Sequence, residues 1–328
     1  MNKKVLITGG AGFIGSNFIR HLLKTKNYDI TNIDAMTYAG NEESIKEFSN
    51  YSNYLFIKAD ITNNRELDKV FSDHYDIIVN FAAETHVDRS IQNASSFIHT
   101  NVIGTHNLLQ KILEEKAGKM IQISTDEVYG SLELNENPFT ETNPLSPNNP
   151  YSASKASADL LVRSFYKTYK APIIITRCSN NYGPYQHPEK LIPKIIYHAL
   201  NNLEIPIYGN GTNIRDWLFV EDHCRAIHTV MERGLSGEIY NIGSNNERTN
   251  LGVAQIILKI LGKSEELITF VSDRKGHDYR YAVNWNKLND KLGWTPSISF
   301  EDGIRKTLEW YMNHYQWIEK SIKTGDIT

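Results

Sequence analysis

The chain has 328 residues, of which 40% are hydrophobic, with 35 basic side chains against 38 acidic ones and a net charge of −3. At about 150 residues per domain this length suits two domains, and the near-balance of charge leaves no basic field to grip a phosphate backbone, so nucleic acid is not an expected partner. No apolar run approaches the roughly 18 residues of a membrane span, and MNKKVLITGGAGF holds a five-residue apolar stretch instead of a signal-peptide core. Cys178 and Cys224 fit neither a disulfide framework nor a metal-ligand spacing. A cytoplasmic protein with no metal site, its thiols buried as small hydrophobes, is the expectation.

Short Ile- and Val-rich runs alternate with helix-length segments. VLIT near residue 5 precedes a helix over 14–26; ITNID near 30 and YLFIKAD near 54 precede a helix over 64–72; IIVNFAA near 77 precedes a helix over 95–115; MIQIST near 120 precedes a helix over 151–169; PIIITR follows near 172. This βαβ rhythm predicts an α/β fold, a doubly wound parallel (Rossmann) sheet. After residue 178 the rhythm changes. CSNNYGPYQHP (178–188) reads as loop, and helices over about 190–201, 221–233, 250–261 and 301–318 mix with short strands such as IPIYG and EIYNIG. The expected division is one domain over 1–178 and a smaller mixed α/β region over 179–328, with some chain crossing, laid against the carboxyl ends of the first sheet. The last ten residues, EKSIKTGDIT, are polar and expected to fray.

GGAGFIG (9–15) stands directly between the first strand and its helix. Gly9 permits a tight turn, Gly12 lets the backbone approach a pyrophosphate, and Gly15 lets helix and strand pack, with the phosphates at the helix N-terminus near Phe13 and Ile14. Nineteen residues beyond Gly15, Asp34 ends the second strand, where a carboxylate accepts from a ribose 2′-hydroxyl and repels a 2′-phosphate. Ala35, Met36 and Thr37 offer no offsetting cation, so NAD is expected over NADP. Asp60 and Ile61 end the third strand, where an adenine would lie, although Asp60 also reads as a turn cap. Ala82, Ala83, Glu84 and Thr85 end the fourth and would run alongside the rest of the dinucleotide.

Tyr151 and Lys155 are spaced i, i+4 and share a helix face. A phenol with an ordinary pKa near 10 needs about 4 kcal/mol to act as a base at pH 7. An ammonium about 4 Å away at an effective dielectric of about 20 supplies roughly that much before desolvation.

GxxGxxG followed about 136 residues later by YxxxK resembles the extended short-chain dehydrogenase/reductase family, whose members hold NAD tightly and act on nucleotide sugars. Within it, Ser124-Thr125-Asp126-Glu127-Val128-Tyr129-Gly130, FAAETHVDRSI, CSNNYGPYQHPEKLIP, YGNGTNIRDWLFVEDH and DRKGHDYRY are similar to the dTDP-glucose 4,6-dehydratases, a likeness running from about residue 3 to 318. The resemblance implies oxidation at C4 of the sugar by Tyr151 and Lys155, with Thr125 on the C4 oxygen. It implies Glu127 as base at C5 and Asp126 as acid for the C6 hydroxyl, since elimination needs one of each. Asn181 is implied near the nicotinamide. It implies a nucleotide-sugar site of His86, Asn180, Lys190, Leu191, Ile192, Pro206, Tyr208, Arg215, Asn250, Arg274 and His277, with both arginines on the diphosphate. Asn250 reads equally well as a helix N-cap, and His86 as a structural histidine. A homodimer through helices 95–115 and 151–169 is implied as well. Two departures stand out: the loop between Gly130 and Tyr151 is short, and the chain stops soon after QWIEK, leaving no counterpart to the tail aromatic that some relatives bring to the substrate. A 4-epimerase, another dehydratase on the same scaffold, or an NAD-binding protein without catalysis are the alternatives; Asp126-Glu127 argues against the epimerase, and the full set of five catalytic residues against the non-enzyme.

Overall fold

The computed structural model describes residues 2–324. Strands β1 (Lys3–Thr8), β2 (Tyr28–Asp34), β3 (Tyr54–Lys58), β4 (Ile77–Asn80), β5 (Met120–Thr125) and β6 (Ile173–Cys178) are followed by β7 (Asn180–Tyr182), β8 (Ile205–Tyr208), β9 (Ile214–Phe219), β10 (Ile239–Ile242), β11 (Glu247–Thr249), β12 (Ile268–Val271) and β13 (Arg280–Tyr281). The first six and β10 form one sheet in the order β10-β6-β5-β4-β1-β2-β3, every pair parallel. The carboxyl ends of these strands therefore meet along one edge, and the order reverses between β1 and β4, where open sheets of this kind bind ligands.

Alternate residues of each strand feed opposite cores. Val5 and Ile7 of β1 pack with Phe18 and Leu22 of the helix Phe13–Thr25 and with Ile227 and Val230 of the helix Val220–Arg233. Leu6 packs on the other face with Leu67, Leu108, Val162 and Phe165. Helices cover both faces, which is why the strands read as continuous apolar runs. The later region has its own core, in which Ile192, Ile195, Ile257, Phe300 and Ile304 surround β7, β8 and β9. There β9 pairs with β7, β11 and β13, and β8 pairs with β12.

Four sequence expectations need correction. The helix expected over 95–115 is interrupted by a π-helical stretch, Ile98–Gly104, where a Cβ on Gly104 would strike Ile61 and the side chain of Asn101 turns to the loop after β4. The helix expected over 301–318 is two, Phe300–Asn313 and Tyr315–Thr324, broken at His314, whose ring stacks on Trp310 and bonds its carbonyl at 2.8 Å. Residues 319–324 are consequently helical and not frayed, with Ile318 and Ser321 buried; 325–328 lie outside the described residues. The segment 178–188 contains β7 and is not all loop.

A buried ion pair ties the sheet to the turn after β5. Arg177 of β6 donates from Nε to Asp159 Oδ2 at 2.8 Å and from a terminal nitrogen to the Tyr129 hydroxyl at 2.9 Å, and Tyr129 donates to Asn241 Oδ1 of β10 at 2.8 Å. Removing one partner of such a pair leaves an uncompensated buried charge. Asp159→Ala is expected to lower stability by about 3–5 kcal/mol, read as a fall in the urea midpoint at unchanged slope.

Candidate active site

One cavity runs along the carboxyl edge of the sheet, from the glycine loop past the end of β5 to the segment after β7. At the glycine-loop end, Gly9 has φ +69°, and a Cβ there would lie 2.6 Å from the Ala82 nitrogen, so the turn and the close approach both require glycine. A Cβ on Gly15 would collide with the Gly9 carbonyl. Gly12 differs: the only nearby protein atom would be the Gly9 carbonyl at 3.3 Å, so the missing side chain leaves room on the cavity side. Gly12 is also the N-cap of the helix Phe13–Thr25, with no capping side chain and no acid in the first turn. Open N–H groups beside a space that a Cβ would fill suit a diphosphate.

Asp34 accepts from the Ala11 N–H at 2.9 Å and the Met36 N–H at 2.8 Å and faces the cavity. Burial raises its pKa, and these two bonds oppose the rise. Thr37, Asp60, Ile61, Ala82, Ala83, Glu84, Thr85 and Asn181 line the same space. Asp60 also closes an Asx turn onto Thr62, so its turn-cap reading and its cavity position coexist. No group of His, Cys, Asp or Glu that could hold a metal occurs among the described residues.

The chemical groups come from two adjacent elements. β5 ends at Thr125, which caps the one-turn 3₁₀ helix Asp126–Tyr129 by accepting from the Glu127 N–H at 3.3 Å. The helix Pro150–Tyr169 starts at a capping box of Asn149 and Ser152 with proline in its first turn, which fixes Tyr151 and Lys155 against that turn. Thr125, Asp126, Glu127, Tyr151 and Lys155 all line the cavity.

Their electrostatics separate the two acids. Asp126 is 2% exposed, bonds only through Oδ1 to Thr125 at 3.2 Å, and is pushed well above the usual carboxylate range by burial, by Glu127 and by Asp216, with Arg215 opposing. Glu127 is raised by burial, but Arg215, Arg274 and Lys190 all pull it down, and Asn149 bonds to it. The surroundings therefore favour the protonated form more strongly at Asp126 than at Glu127. The phenol of Tyr151, bonded to Thr125, is held well above its ordinary range by burial and by Glu127. Lys155 donates to the Ile123 carbonyl at 2.6 Å and its own pKa is lowered by burial. The depression of the phenol expected from i, i+4 spacing alone is not what this packing gives, because burial and the neighbouring Glu127 raise it and the ammonium is bonded to the β5 backbone.

The predicted nucleotide-sugar residues divide. Asn180 and Lys190 reach the cavity wall, where Lys190 donates to the Thr85 carbonyl at 3.0 Å. Arg215 is buried over the Tyr281 ring at 4.4 Å, bonded to the carbonyls of Ile214, Tyr279 and Asp278. Arg274 lies 3.9 Å from Asp88, and His277 is bonded to Asp273 beside the half-exposed Tyr208. These four, with Leu191, Pro206 and Asn250, are off the cavity wall. Ile192 is a core residue, 1% exposed. His86 caps the helix Val87–Gln92 by accepting from the Arg89 N–H and lies 3.6 Å from Glu189. Asn250 is not the N-cap; Thr249 is, accepting from the Gly252 N–H at 3.0 Å.

A family model described as GDP-mannose 4,6 dehydratase matches residues 6–307. The chain belongs to the GDP-mannose 4,6-dehydratase family. It is 48% identical to the dTDP-glucose 4,6-dehydratase of Neisseria meningitidis serogroup B, over 96% of this chain and 95% of that protein. It is 50% identical to the low-salt glycan biosynthesis protein Agl12 of Haloferax volcanii, over 94% and 98%. The crystal structure of DesIV, a dTDP-glucose 4,6-dehydratase from Streptomyces venezuelae, solved with NAD bound, matches with a TM-score of 0.94 at 44% identity, covering 97% of this chain and 99% of that one.

In this member of the GDP-mannose 4,6-dehydratase family the cavity has further walls that the motifs did not announce: Thr100 from the π-helical stretch, Cys178 and Ser179 at the end of β6, Gln186, His187 and Glu189 from the segment after β7, and Trp317. Cys178, Ser179, Gln186, His187 and Glu189 fall within CSNNYGPYQHPEKLIP, with Ser179 and Glu189 next to chosen residues, whereas Thr100 and Trp317 lie in none of the family motifs. A buried acid with a raised pKa holds its proton in the native state above the pH at which the unfolded chain releases it, so stability falls as pH rises from the unfolded value through the folded one. Asp126→Asn removes this loss, at about 1.4 kcal/mol per pH unit of displacement. The urea midpoint of the variant is expected to gain on that of the wild type as pH rises above about 4, the ordinary carboxylate range; a constant gap would contradict a raised Asp126.

Proposed function

We infer that the chain is a dTDP-glucose 4,6-dehydratase, a hydro-lyase that converts dTDP-glucose to dTDP-4-keto-6-deoxyglucose and water in deoxysugar biosynthesis and restores its NAD within each turnover. The observation that carries this reading is the Asp126–Glu127 pair, Asp126 buried and Glu127 part-buried, in unlike surroundings next to Tyr151, in a chain about half identical to enzymes of that name. Asp34, with no Lys or Arg among the cavity residues beside it, supports NAD over NADP.

When bound, the nicotinamide ring supplies the hydride acceptor for C4 and the hydride returned to C6. Tyr151 takes the C4 hydroxyl proton while Thr125, already bonded to the phenol, holds the C4 oxygen. In the free protein Lys155 is bonded to the Ile123 carbonyl and burial holds the phenol up, so on this reading the positively charged nicotinamide ring would have to join Lys155 in stabilising the phenolate. A C4 ketone acidifies the C5 proton, which Glu127 removes; Asp126, holding its proton in the native state, gives it to the departing C6 hydroxyl. Glu127 then returns its proton to C5. Arg215 and Arg274, beside Glu127, supply the positive charge for the nucleoside diphosphate, and Asn180 and Lys190 lie on the sugar side. A homodimer is part of the proposal, supported by Ile98, Ile103 and Leu160, which are 42–55% exposed on the helices over 95–113 and 150–169.

In deuterated water with dTDP-glucose, the wild type is expected to release water and carry deuterium at C5. Glu127→Gln should slow elimination by about 10²–10⁴-fold while reduced cofactor still appears; undiminished turnover would remove Glu127 from its role. Light scattering is expected to give twice the 37.5 kDa chain mass, and Leu160→Glu to give the single chain. A wild type at the mass of one chain refutes the dimer.

A further inference from the structure

The helix Phe13–Thr25, which begins at the glycine loop, packs against the helix Val220–Arg233, which leads from β9 back into the main sheet at β10. Phe18, Leu22, Ile227 and Val230 make the apolar part of this seam. Beside them runs a polar chain. His21 Nε2 lies 2.9 Å from His228 Nδ1, the rings meeting edge to face with centroids 5.0 Å apart. His228 Nε2 lies 2.8 Å from the hydroxyl of Tyr28 in β2, and Tyr28 donates to Glu232 Oε1 at 3.0 Å. Lys3 of β1 donates to both oxygens of Glu232, at 2.9 and 2.6 Å.

The order of protons along this chain follows from its carboxylate end. Glu232 only accepts, so the single Tyr28 proton goes to it, and His228 donates to the Tyr28 oxygen from Nε2. A neutral His228 then has a bare Nδ1, which accepts from His21 Nε2–H. Every link is made while both rings are neutral. Two protonated rings would set N–H against N–H across 2.9 Å, so the closed seam takes at most one proton. In an unfolded chain each histidine takes its own near pH 6.5.

The surrounding charges act in the same direction. His21 is pushed down to about 4 by burial, by His228, by Lys24 on its own helix and by Arg225 across the seam. His228 is lowered by burial, which Glu232 opposes and Lys3 assists. Lys119 is a further cation near Glu232, and the Tyr28 phenol, raised by burial and by Glu232, keeps its proton.

We propose that His21 and His228 form a proton-sensitive latch between the glycine-loop helix and the helix Val220–Arg233, closed while both rings are neutral and released by mild acid. Below the ordinary histidine range the folded chain binds fewer protons than the unfolded one, so stability held at pH 7 is lost as pH falls from about 6.5 toward 4. Release loosens the helix whose first residues line the cleft. None of His21, Tyr28, His228, Glu232 or Lys3 lines the cavity, so the latch stands apart from the reaction proposed above.

Urea unfolding at pH 7.5 and 5.5 tests it, in the wild type and in His21→Gln, whose amide keeps a donor for His228 and takes up no proton. A histidine lowered from 6.5 to about 4 reduces the folding equilibrium constant about tenfold over this interval. The variant is expected to be spared that tenfold loss, and equal losses in the two proteins overturn the latch. Amide hydrogen exchange of residues 16–25 and 224–233, corrected for its intrinsic pH dependence, should show more opening at pH 5.5 than at 7.5 in the wild type. Unchanged protection there overturns release of the seam. Should the variant not fold, the ring proton resonances of the unaltered chain decide: His21 titrating below about pH 5 is expected, and titration near 6.5 overturns the proposal.

Discussion

Two carboxyl groups on consecutive residues sit together at the end of β5, Asp126 buried and Glu127 part-buried, a placement that disfavours charge on both. Everything around Asp126 and Glu127 serves to divide them. The sheet supplies the acids, but the groups that tell them apart come from beyond residue 178: Arg215 of β9, Arg274 and Lys190 pull on Glu127, and Asp216, the residue after Arg215, pushes on Asp126. Asp216 is held in place by Ser244 and Asn246 in the segment after β10. The unlike surroundings of two neighbouring acids are thus a property of the contact between the sheet and the later region, and the turn after β5 alone would not produce them.

The sheet, in turn, fixes where that contact occurs. Thr8 of β1 donates to Asn80 of β4 at 2.5 Å, and Asn80 donates to Gln122 of β5 at 2.8 Å, a buried polar ladder across the central strands. Asn101, in the π-helical stretch, accepts from the Glu84 N–H and donates to both the Glu84 carbonyl and Ser154. It therefore binds the loop after β4 to the helix that carries Tyr151 and Lys155. The departure from regular helix is what turns Asn101 and Thr100 toward the site, in keeping with the frequency of such bulges at functional positions.

Features whose causes are local were legible in the sequence. The glycine loop, Asp34 and the TDE turn each sit where one strand meets one helix, and a few consecutive residues determine the geometry. Positions whose surroundings come from distant segments were not legible. The spacing of Tyr151 and Lys155 gave the right helix face, but the Ile123 carbonyl that engages the ammonium belongs to another element. Ile192 read as a wall and packs as core, because its neighbours arrive from the helices Asn250–Leu261 and Phe300–Asn313. The polar tail read as frayed because its anchors, Asn41 and Glu43, lie more than two hundred residues away in sequence.

Placing Arg215 and Arg274 on both tasks, the diphosphate and Glu127, has an electrostatic consequence. A dianionic diphosphate at these guanidinium groups offsets part of the positive potential that holds Glu127 down, while burial, which raises it, remains. Glu127 then becomes a stronger base in the complex than in the free protein. Asp126 is affected less, since Arg274 and Lys190 are not among its main influences and Arg215 is the weaker opponent of burial and of two carboxylates. In the proposed reaction, substrate charge would therefore act chiefly on Glu127, and the proposed base would gain strength when there is a C5 proton to remove.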